Sequence, residues 1–197
     1  MTQTRPKLSA GERRLRLLEV ASRVFAEGSY RGTTTAEIAR AVGCSEPILY
    51  RHFQSKRELY FACVDGAWDE LRSKLDAVME TQDPAEALAR ARRDLDALGR
   101  GKTALAQFWV QAMTEASEDR EIRRFMRRHL KAVHAYLARL IAHGQELGIV
   151  HPERDPEVEA WSMIGGITFG AMSERLGGLL DGVGPRIREQ RRAWMTP

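Results

Sequence analysis

The sequence has few of the residues on which covalent or metal-based scaffolds depend. Only two cysteines occur among its 197 residues, Cys44 and Cys63, and they form neither a CxxC pair nor a zinc ligand set. This pattern argues against a disulfide framework and against a structural metal. We therefore expect a fold that is held together by ordinary side-chain packing.

Long hydrophobic runs are also missing. No apolar run approaches the roughly 20 residues that a membrane-spanning helix needs, and the opening segment MTQTRPKLSAGERR lacks the apolar stretch of a signal peptide. We expect a cytoplasmic chain with no membrane partner. Hydrophobic residues still make up 43% of the sequence, enough for one ordinary domain or for a small module fused to a larger one.

The sequence shows no pattern of a catalytic or cofactor site. It contains no HExxH motif, no acidic dyad, no Cys–His pairing and no glycine-rich nucleotide loop. We predict that the chain is not an enzyme and binds neither a cofactor nor a metal. Two alternatives stay open at this point: a small all-α enzyme with its chemistry near Trp109, and a helical adaptor that binds partners through the basic face at residues 120–131.

Positive charge is concentrated in the first third of the chain. Residues 1–60 hold 11 Lys and Arg against 6 Asp and Glu, a net charge of +5, whereas residues 61–197 hold 20 against 21, a net of −1. This asymmetry indicates an N-terminal part that meets a polyanion. A solvated surface with uneven charge is the alternative.

Helical periodicity fills nearly the whole chain, and no segment alternates as a half-buried strand does. The first helix ends near Gly28 and presents an apolar face made of Leu15, Leu18, Ala21 and Phe25. Later helices are predicted at residues 34–42, 46–53, 56–79, 84–99, around Trp109, at 119–148 and at 156–177. Ser55 and Glu58 form a capping-box pattern at one of these starts. The predicted fold class is all-α with about nine helices.

The stretch IARAVGCSEPILYRHF, residues 38–53, interrupts strong helix formers with a glycine turn. Gly43 can take the left-handed conformation that reverses the chain, and Ser45 can cap the next helix. Two helices joined in this way form a helix-turn-helix, whose second helix enters a DNA major groove. The alternative is an ordinary helical hairpin with a solvated outer face.

The outer face of the second helix follows from its buried face. If Leu49 and Phe53 point to the core, the residues that point outward or flank that direction are Pro47, Ile48, Tyr50 and Arg51. Such a face needs a partner.

Residues 32–60, GTTTAEIARAVGCSEPILYRHFQSKRELY, resemble the DNA-binding signature of the TetR family of bacterial transcriptional regulators. The pattern is matched at Thr33, Thr34, Ile38, Ala39, Gly43, Ser45, Leu49, Tyr50, His52, Phe53, Lys56 and Leu59. The similarity covers roughly residues 12–64. It implies a helix-turn-helix DNA-binding domain at residues 1–55 and an effector-binding and dimerisation domain at 56–197. It further implies a homodimeric, ligand-responsive regulator, most often a repressor.

The resemblance also implies site residues. Phosphate contacts fall at Thr34, Thr35, Tyr50, His52 and Lys56. Base contacts fall at Ala36, Glu46, Pro47, Ile48 and Arg51. Here Glu46-Pro47-Ile48 replaces the family's frequent basic-Gly-Thr. Arg51 can fork onto guanine and Ile48 can touch a thymine methyl, whereas Glu46 either accepts from a cytosine amino group or faces water at the helix N-terminus.

The remainder of the chain is expected to dimerise and to bind an effector. Residues 120–147 and 155–180 are the expected dimer helices, with an interface at Trp161, Ile164, Gly166, Phe169 and Gly170. An apolar effector cavity is expected among Trp68, Met79, Phe108, Trp109, Met113, Phe125 and His129. Intrachain core packing is the alternative for both sets.

One helix carries a basic face made of Arg120, Arg123, Arg124, Arg127, Arg128 and Lys131. We interpret this face, and the tail RIREQRR, as solvated surface in preference to an anion or membrane site.

Overall fold

A computed structural model describes residues 10–81 and 83–195, and every regular element within them is an α-helix. The helices are α1 (Ala10–Glu27), α2 (Thr35–Val42), α3 (Glu46–Tyr50), α4 (Lys56–Met79), α5 (Pro84–Gly99), α6 (Ala104–Ala116), α7 (Arg120–Glu146), α8 (Pro156–Arg175) and α9 (Gly184–Met195). The all-α fold class is thereby confirmed. Residues 1–9, most of the segment compared with a signal peptide, lie outside the described residues.

The chain divides into two compact units, Met1–Gly66 and Ala67–Pro197. The division falls inside α4, so this helix belongs partly to each unit. A functional boundary after residue 55 remains a prediction.

The first unit is built on α1, which packs against α2, and α2 packs against α3. Leu17, Ala21 and Phe25 are the buried residues of α1, and they repeat every four residues. The predicted apolar face was wrong at Leu15, which is 67% exposed. At about 100° per residue, Leu15 lies nearly opposite Leu17 on the helix, so the two cannot share the core.

The second unit places α6 in contact with both α7 and α8, while α5 packs against α8. The turn between α5 and α6 approaches α8 closely at Gly101. A Cβ atom added there would lie 2.3 Å from the carbonyl carbon of Gly170 and from the backbone nitrogen of Ala171. Gly101 also has a φ of +73°, in the left-handed region that favours glycine.

Helix α9 was missed as a separate element because its sequence is rich in arginine and lacks a clear apolar stripe. It is attached to α8 through Arg191, whose Nη1 donates to the Ser162 carbonyl at 3.1 Å and whose Nη2 donates to the Glu159 carbonyl at 3.3 Å. The buried Glu159 carboxylate also pairs with Arg154 and, at 3.7 Å, with Arg191. Burial lowers the pKa of Arg191, against the opposing effect of Glu159. The side chain of Arg192 in the tail lies outside the described residues.

Candidate DNA-binding interface and effector region

The turn between α2 and α3 is formed by Gly43, as predicted. Its φ of 78° and ψ of 36° are left-handed, and the Cys44 N–H donates to the Ala39 carbonyl at 2.9 Å while the Gly43 N–H donates to Arg40 at 3.1 Å. These bonds satisfy the last carbonyls of α2 and reverse the chain. The turn is therefore a tight connection that brings α3 back against α2.

The start of α2 contains a complete capping box that the sequence reading overlooked. The Glu37 N–H donates to Thr34 Oγ1 at 3.2 Å, and the Thr34 N–H donates to Glu37 Oε2 at 2.8 Å. The hydrogen bonds from the Thr34 backbone and hydroxyl lower the pKa of the exposed Glu37 carboxyl. The Thr-x-x-Glu spacing at 34–37 was the available signal.

Helix α3 is shorter than predicted, since it ends at Tyr50 and not at residue 53. Residues 51 and 52 continue as a turn, in which the His52 N–H donates to the Leu49 carbonyl three residues earlier, at 3.0 Å. Ser45 occupies the N-cap position but its hydroxyl makes no capping hydrogen bond, contrary to expectation. Pro47 lies in the first turn, as expected.

The two faces of α3 separate as the periodicity predicts. Leu49 and Phe53 are buried, while Ile48 and Tyr50 are 41% and 46% exposed. The other outward residues are Pro47 and Arg51, both exposed. Among the remaining predicted DNA contacts, Ala36 and Thr34 are exposed and His52 is half-buried. The structure therefore gathers most of this set on the surface around α3 and the start of α2.

Thr35, Glu46 and Tyr50 are bonded to one another. Thr35 Oγ1 donates to Glu46 Oε1 at 2.5 Å and lies 3.2 Å from the Tyr50 hydroxyl oxygen. Glu46 is half-buried and not simply solvated. These contacts join the first turn of α2 to both ends of α3.

Lys56, at the start of α4, is also engaged within the unit. Its Nζ donates to the Thr33 carbonyl at 2.9 Å and lies 4.6 Å from the centroid of the Tyr30 ring. The neighbouring cap is only partly the predicted box, since the Glu58 N–H donates to Ser55 Oγ but the Glu58 carboxylate accepts from the Gln54 N–H. A phosphate contact by Lys56 remains a prediction, and Lys56 also stabilises the fold.

The predicted effector residues are largely core in the second unit. Trp109 and Phe108 are fully buried, and Trp109 Nε1 donates to His129 Nε2 at 3.1 Å. The Phe125 ring stacks on the His129 ring, with the two centroids 5.6 Å apart. Met113 is exposed.

Trp68 belongs to a second group of side chains, which come from α4 and α7. Its ring meets Tyr136 edge-on at 5.4 Å, and the Tyr136 hydroxyl donates to Asp76 Oδ1 at 2.7 Å. Burial and the Asp76 carboxylate raise the pKa of Tyr136. Met79 is half-buried near the end of α4. Effector binding by any of these residues remains a prediction.

Helix α8 carries an exposed apolar stripe on its outer face. Its large members are Val158, Trp161, Phe169 and Met172, and the exposed Leu176 follows at the C-cap. Their spacing of three, four or eight residues keeps them on one side of a helix. Trp161 is stacked against His134 of α7, with centroids 4.4 Å apart, so one of its faces is covered.

The predicted dimer residues divide into two groups. Trp161, Gly166 and Phe169 are exposed, whereas Ile164 and Gly170 are buried in their own chain. A Cβ at Gly166 would lie 3.3 Å from Arg191 Nη1, so this position borders α9. Gly170 lies where Gly101 approaches the backbone of α8, and its role in dimerisation remains a prediction.

The basic face of α7 is exposed throughout. Arg123 differs from the rest, because its Nε and Nη2 donate to the carbonyls of Ala116 and Ser117 at 2.8 and 2.7 Å. Arg123 thereby satisfies the C-terminus of α6. Within the described residues, no helix is long and apolar enough to cross a membrane, and no group of three potential ligands is arranged for a metal ion.

A glycine-reversed turn between two short helices, with an exposed second helix flanked by hydroxyl and cationic side chains, is the geometry of a helix-turn-helix motif. The family model described as "Bacterial regulatory proteins, tetR family" matches residues 17–63. The N-terminal helices are therefore similar to those of the tetR family of bacterial regulatory proteins.

Known relatives agree with this assignment. The transcriptional activator FasR of Mycolicibacterium smegmatis is 41% identical over 75 residues, which are 38% of this chain and 34% of FasR. The match thus spans about a third of that relative. A putative TetR-family regulator from Rhodococcus sp. has the same fold, with a TM-score of 0.75 and 19% identity over 94% of this chain and 100% of that one.

A third similar protein is AibR, whose structure is described as a complex with isovaleryl coenzyme A and operator DNA. Its TM-score is 0.64 and its identity 25%, over 94% of this chain and 99% of AibR. This likeness extends over both compact units.

Proposed function

We propose that the chain is a DNA-binding transcriptional regulator of the bacterial cytoplasm and not an enzyme. The observation that carries this proposal is the outer face of α3, where Ile48, Tyr50 and Arg51 are exposed above the buried Leu49. An exposed apolar and arginine surface on a recognition helix suits base edges in a major groove. The excess positive charge of residues 1–60 supports a polyanionic partner.

In the proposed complex, different residues position the protein and read the sequence. Thr34, Thr35, Tyr50, His52 and Lys56 contact phosphates, which fix the register without discriminating between bases. The residues proposed to meet base edges are Ala36, Glu46, Pro47, Ile48 and Arg51. Arg51 has the side chain best suited to bidentate recognition of guanine.

The proposed operator-binding form is a homodimer. One recognition helix reads one half-site, and a two-fold symmetric dimer places two of them ~34–36 Å apart on a palindromic operator. The exposed stripe on α8 supports such an interface, since an apolar face of this kind is typical of a protein contact. With α7, which packs against α8, it would form a four-helix bundle between two copies.

We further propose that a small apolar or aromatic effector controls the protein and that the DNA-bound form is a repressor. AibR is described with a coenzyme A thioester, an apolar acyl group on a polar carrier, which makes isovaleryl coenzyme A a reasonable first probe. Helix α4 has residues in both units, and a shift of its later turns would reach Lys56. Effector and DNA must then weaken each other's binding by the same factor.

Met113→Trp tests the effector part of the proposal. The substitution adds volume at an exposed position beside the buried Trp109 segment, so it should change effector affinity and leave DNA affinity without effector unaltered. Candidate effectors, beginning with isovaleryl coenzyme A and simple aromatic acids, are screened by the shift they cause in thermal unfolding. An effector response that is identical in the variant would place the binding site elsewhere.

The central experiment is selection of fragments of the source genome by the purified chain. We expect the enriched fragments to share an inverted repeat with half-site centres about one helical turn apart. The Arg51→Ala variant is the control and should enrich a motif with a relaxed preference at one base pair in each half-site. Fragments with no shared sequence would contradict the proposed regulator.

A further inference from the structure

Three side chains that are expected to meet DNA form a hydrogen-bonded chain in the first unit. Thr35 Oγ1 lies 2.5 Å from Glu46 Oε1 and 3.2 Å from the Tyr50 hydroxyl oxygen. Thr35 opens α2, Glu46 opens α3 and Tyr50 ends it. The glycine turn alone does not determine these contacts, since they depend on the particular residue at each of the three positions.

The direction of each hydrogen bond follows from the number of protons. A carboxylate can only accept, so the single hydroxyl proton of Thr35 is donated to Glu46. Thr35 Oγ1 then accepts the proton of Tyr50. Both hydroxyl protons therefore point along the chain towards Glu46, and neither is directed at an outside acceptor.

DNA phosphate is an anionic acceptor of the same kind as a carboxylate. We propose that Glu46 competes with DNA phosphate for the hydroxyl protons of Thr35 and Tyr50, and thereby weakens binding to the DNA backbone. This inference rests on the proposed DNA-binding function. Without Glu46, the hydroxyls of Thr35 and Tyr50 would have two protons between them. One proton would form the hydrogen bond between the two hydroxyls, and the other could be donated to a phosphate oxygen.

The neighbouring Thr34 shows the same arrangement. Its hydroxyl donates to Glu37 Oε2 at 3.0 Å and accepts from the Glu37 N–H. Hydroxyl protons on this surface are thus directed to protein carboxylates. Since phosphate contacts carry no sequence information, Glu46 reduces non-specific binding and leaves recognition to base-reading groups such as Arg51.

Three substitutions of Glu46 separate this competition from simple charge repulsion. Glu46→Asp keeps the charge but shortens the side chain by one methylene, which withdraws the carboxylate from Thr35. Glu46→Gln removes the charge but keeps an acceptor oxygen. Glu46→Ala removes both. Fluorescence anisotropy with a random-sequence duplex of about 30 base pairs, at several salt concentrations, measures backbone binding.

We expect Glu46→Asp to bind random duplex about threefold more tightly than the wild type, and Glu46→Ala about three- to tenfold more tightly, as one added hydrogen bond allows. Glu46→Gln should gain less than Glu46→Ala. In a Thr35→Val background, which has no hydroxyl to release, Glu46→Asp should have no effect. Circular dichroism confirms that each variant retains its helices.

Charge repulsion alone predicts a different order. Glu46→Asp would then equal the wild type and Glu46→Gln would equal Glu46→Ala, and this result would overturn the inference while the DNA-binding function stands. A gain by Glu46→Asp that persists with Thr35→Val would overturn it as well. If neither the wild type nor any variant bound duplex DNA at low salt, the proposed function would fail and the inference with it.

Discussion

Arg51 and Tyr50 are adjacent in the chain, but their expected roles on DNA differ. Arg51, the exposed C-cap residue of α3, can donate two parallel hydrogen bonds to one guanine. Tyr50 has one hydroxyl, which already contacts Thr35, and suits a phosphate oxygen. The two roles can therefore be distinguished experimentally. The effect of removing the Arg51 side chain should depend on the DNA sequence, whereas the effect of removing the Tyr50 hydroxyl should not.

Arg51→Ala should weaken operator binding by about 1–3 kcal/mol, with relaxed preference at one base pair in each half-site. Tyr50→Phe should have a small effect, equal on operator and random DNA, because the Tyr50 hydroxyl proton is held by Thr35 and a phosphate contact carries no sequence information. Arg128→Ala, which removes an exposed arginine from the basic face of α7, is the charge control and should change neither. Equal losses on operator and random DNA in Arg51→Ala would show that Arg51 does not read a base.

The Glu37 carboxylate predicts a pH dependence of stability. Its pKa is lowered in the folded state, mainly by the Thr34 backbone N–H and then by the Thr34 hydroxyl. The contribution is therefore fully present above the unfolded value near 4.5 and is lost as pH falls through the lower folded value. The unfolding temperature of Glu37→Gln should lie below that of the wild type at pH 7, and the difference should shrink below pH 4.5. If the difference in unfolding temperature stayed constant from pH 7 to below pH 4.5, the ionised Glu37 carboxylate would not be the group that stabilises the start of α2.

At the scale of helices, glycine has two separable uses in this fold. Gly101 and Gly148 both have positive φ, of 73° and 71°. A Cβ at Gly101 would overlap the backbone of α8 at Gly170, whereas a Cβ at Gly148 would meet no atom within 4 Å. Gly148 therefore needs only the left-handed conformation, and Gly101 needs that conformation together with the absence of a side chain.

Gly148→Ala should destabilise the second unit by about 1–2 kcal/mol, the cost of a left-handed alanine. Gly101→Ala should cost about 1–3 kcal/mol more, because the α5–α6 turn must move away from α8. Urea unfolding of the two variants measures the difference. If the two variants were destabilised equally, the α5–α6 turn would be able to move away from α8 without a loss of stability.

At the scale of the whole molecule, the exposed stripe on α8 is the strongest indication of assembly. Trp161 and Phe169 are 47% and 48% exposed, while Ile164 and Gly170 are buried in their own chain. A substitution at the buried Gly170 would therefore disturb packing within its own chain. The dimer is better tested through a residue that faces solvent.

If the proposed dimer forms through α8, Phe169→Glu should be monomeric in sedimentation experiments and lose operator affinity, while its helical content is kept. The reason is that a carboxylate in an apolar interface loses its hydration without a partner. Leu15→Glu is the control, since this exposed leucine lies on α1 and should leave the dimer intact. A Phe169→Glu dimer of unchanged stability would place the interface on another surface.

Local sequence patterns determined the helical framework of this protein. The glycine turn at Gly43, the α4 span from Lys56 to Met79 and the burial of Leu49 and Phe53 depend on propensity and spacing within a few residues. Such features are encoded next to one another in the chain, so the sequence suffices to find them. The exposed face of α3, and with it the candidate DNA-binding site, follows from the same spacing.

Only the tertiary structure decided which residues of these helices meet. Thr35 and Glu46 are eleven positions apart, and their hydrogen bond depends on the angle at which α2 and α3 pack. The burial of Gly170 beneath Gly101 and the exposure of Leu15 likewise depend on distant partners. Periodicity shows that a helix has two faces, but which side chains are covered is settled by the elements that pack against it.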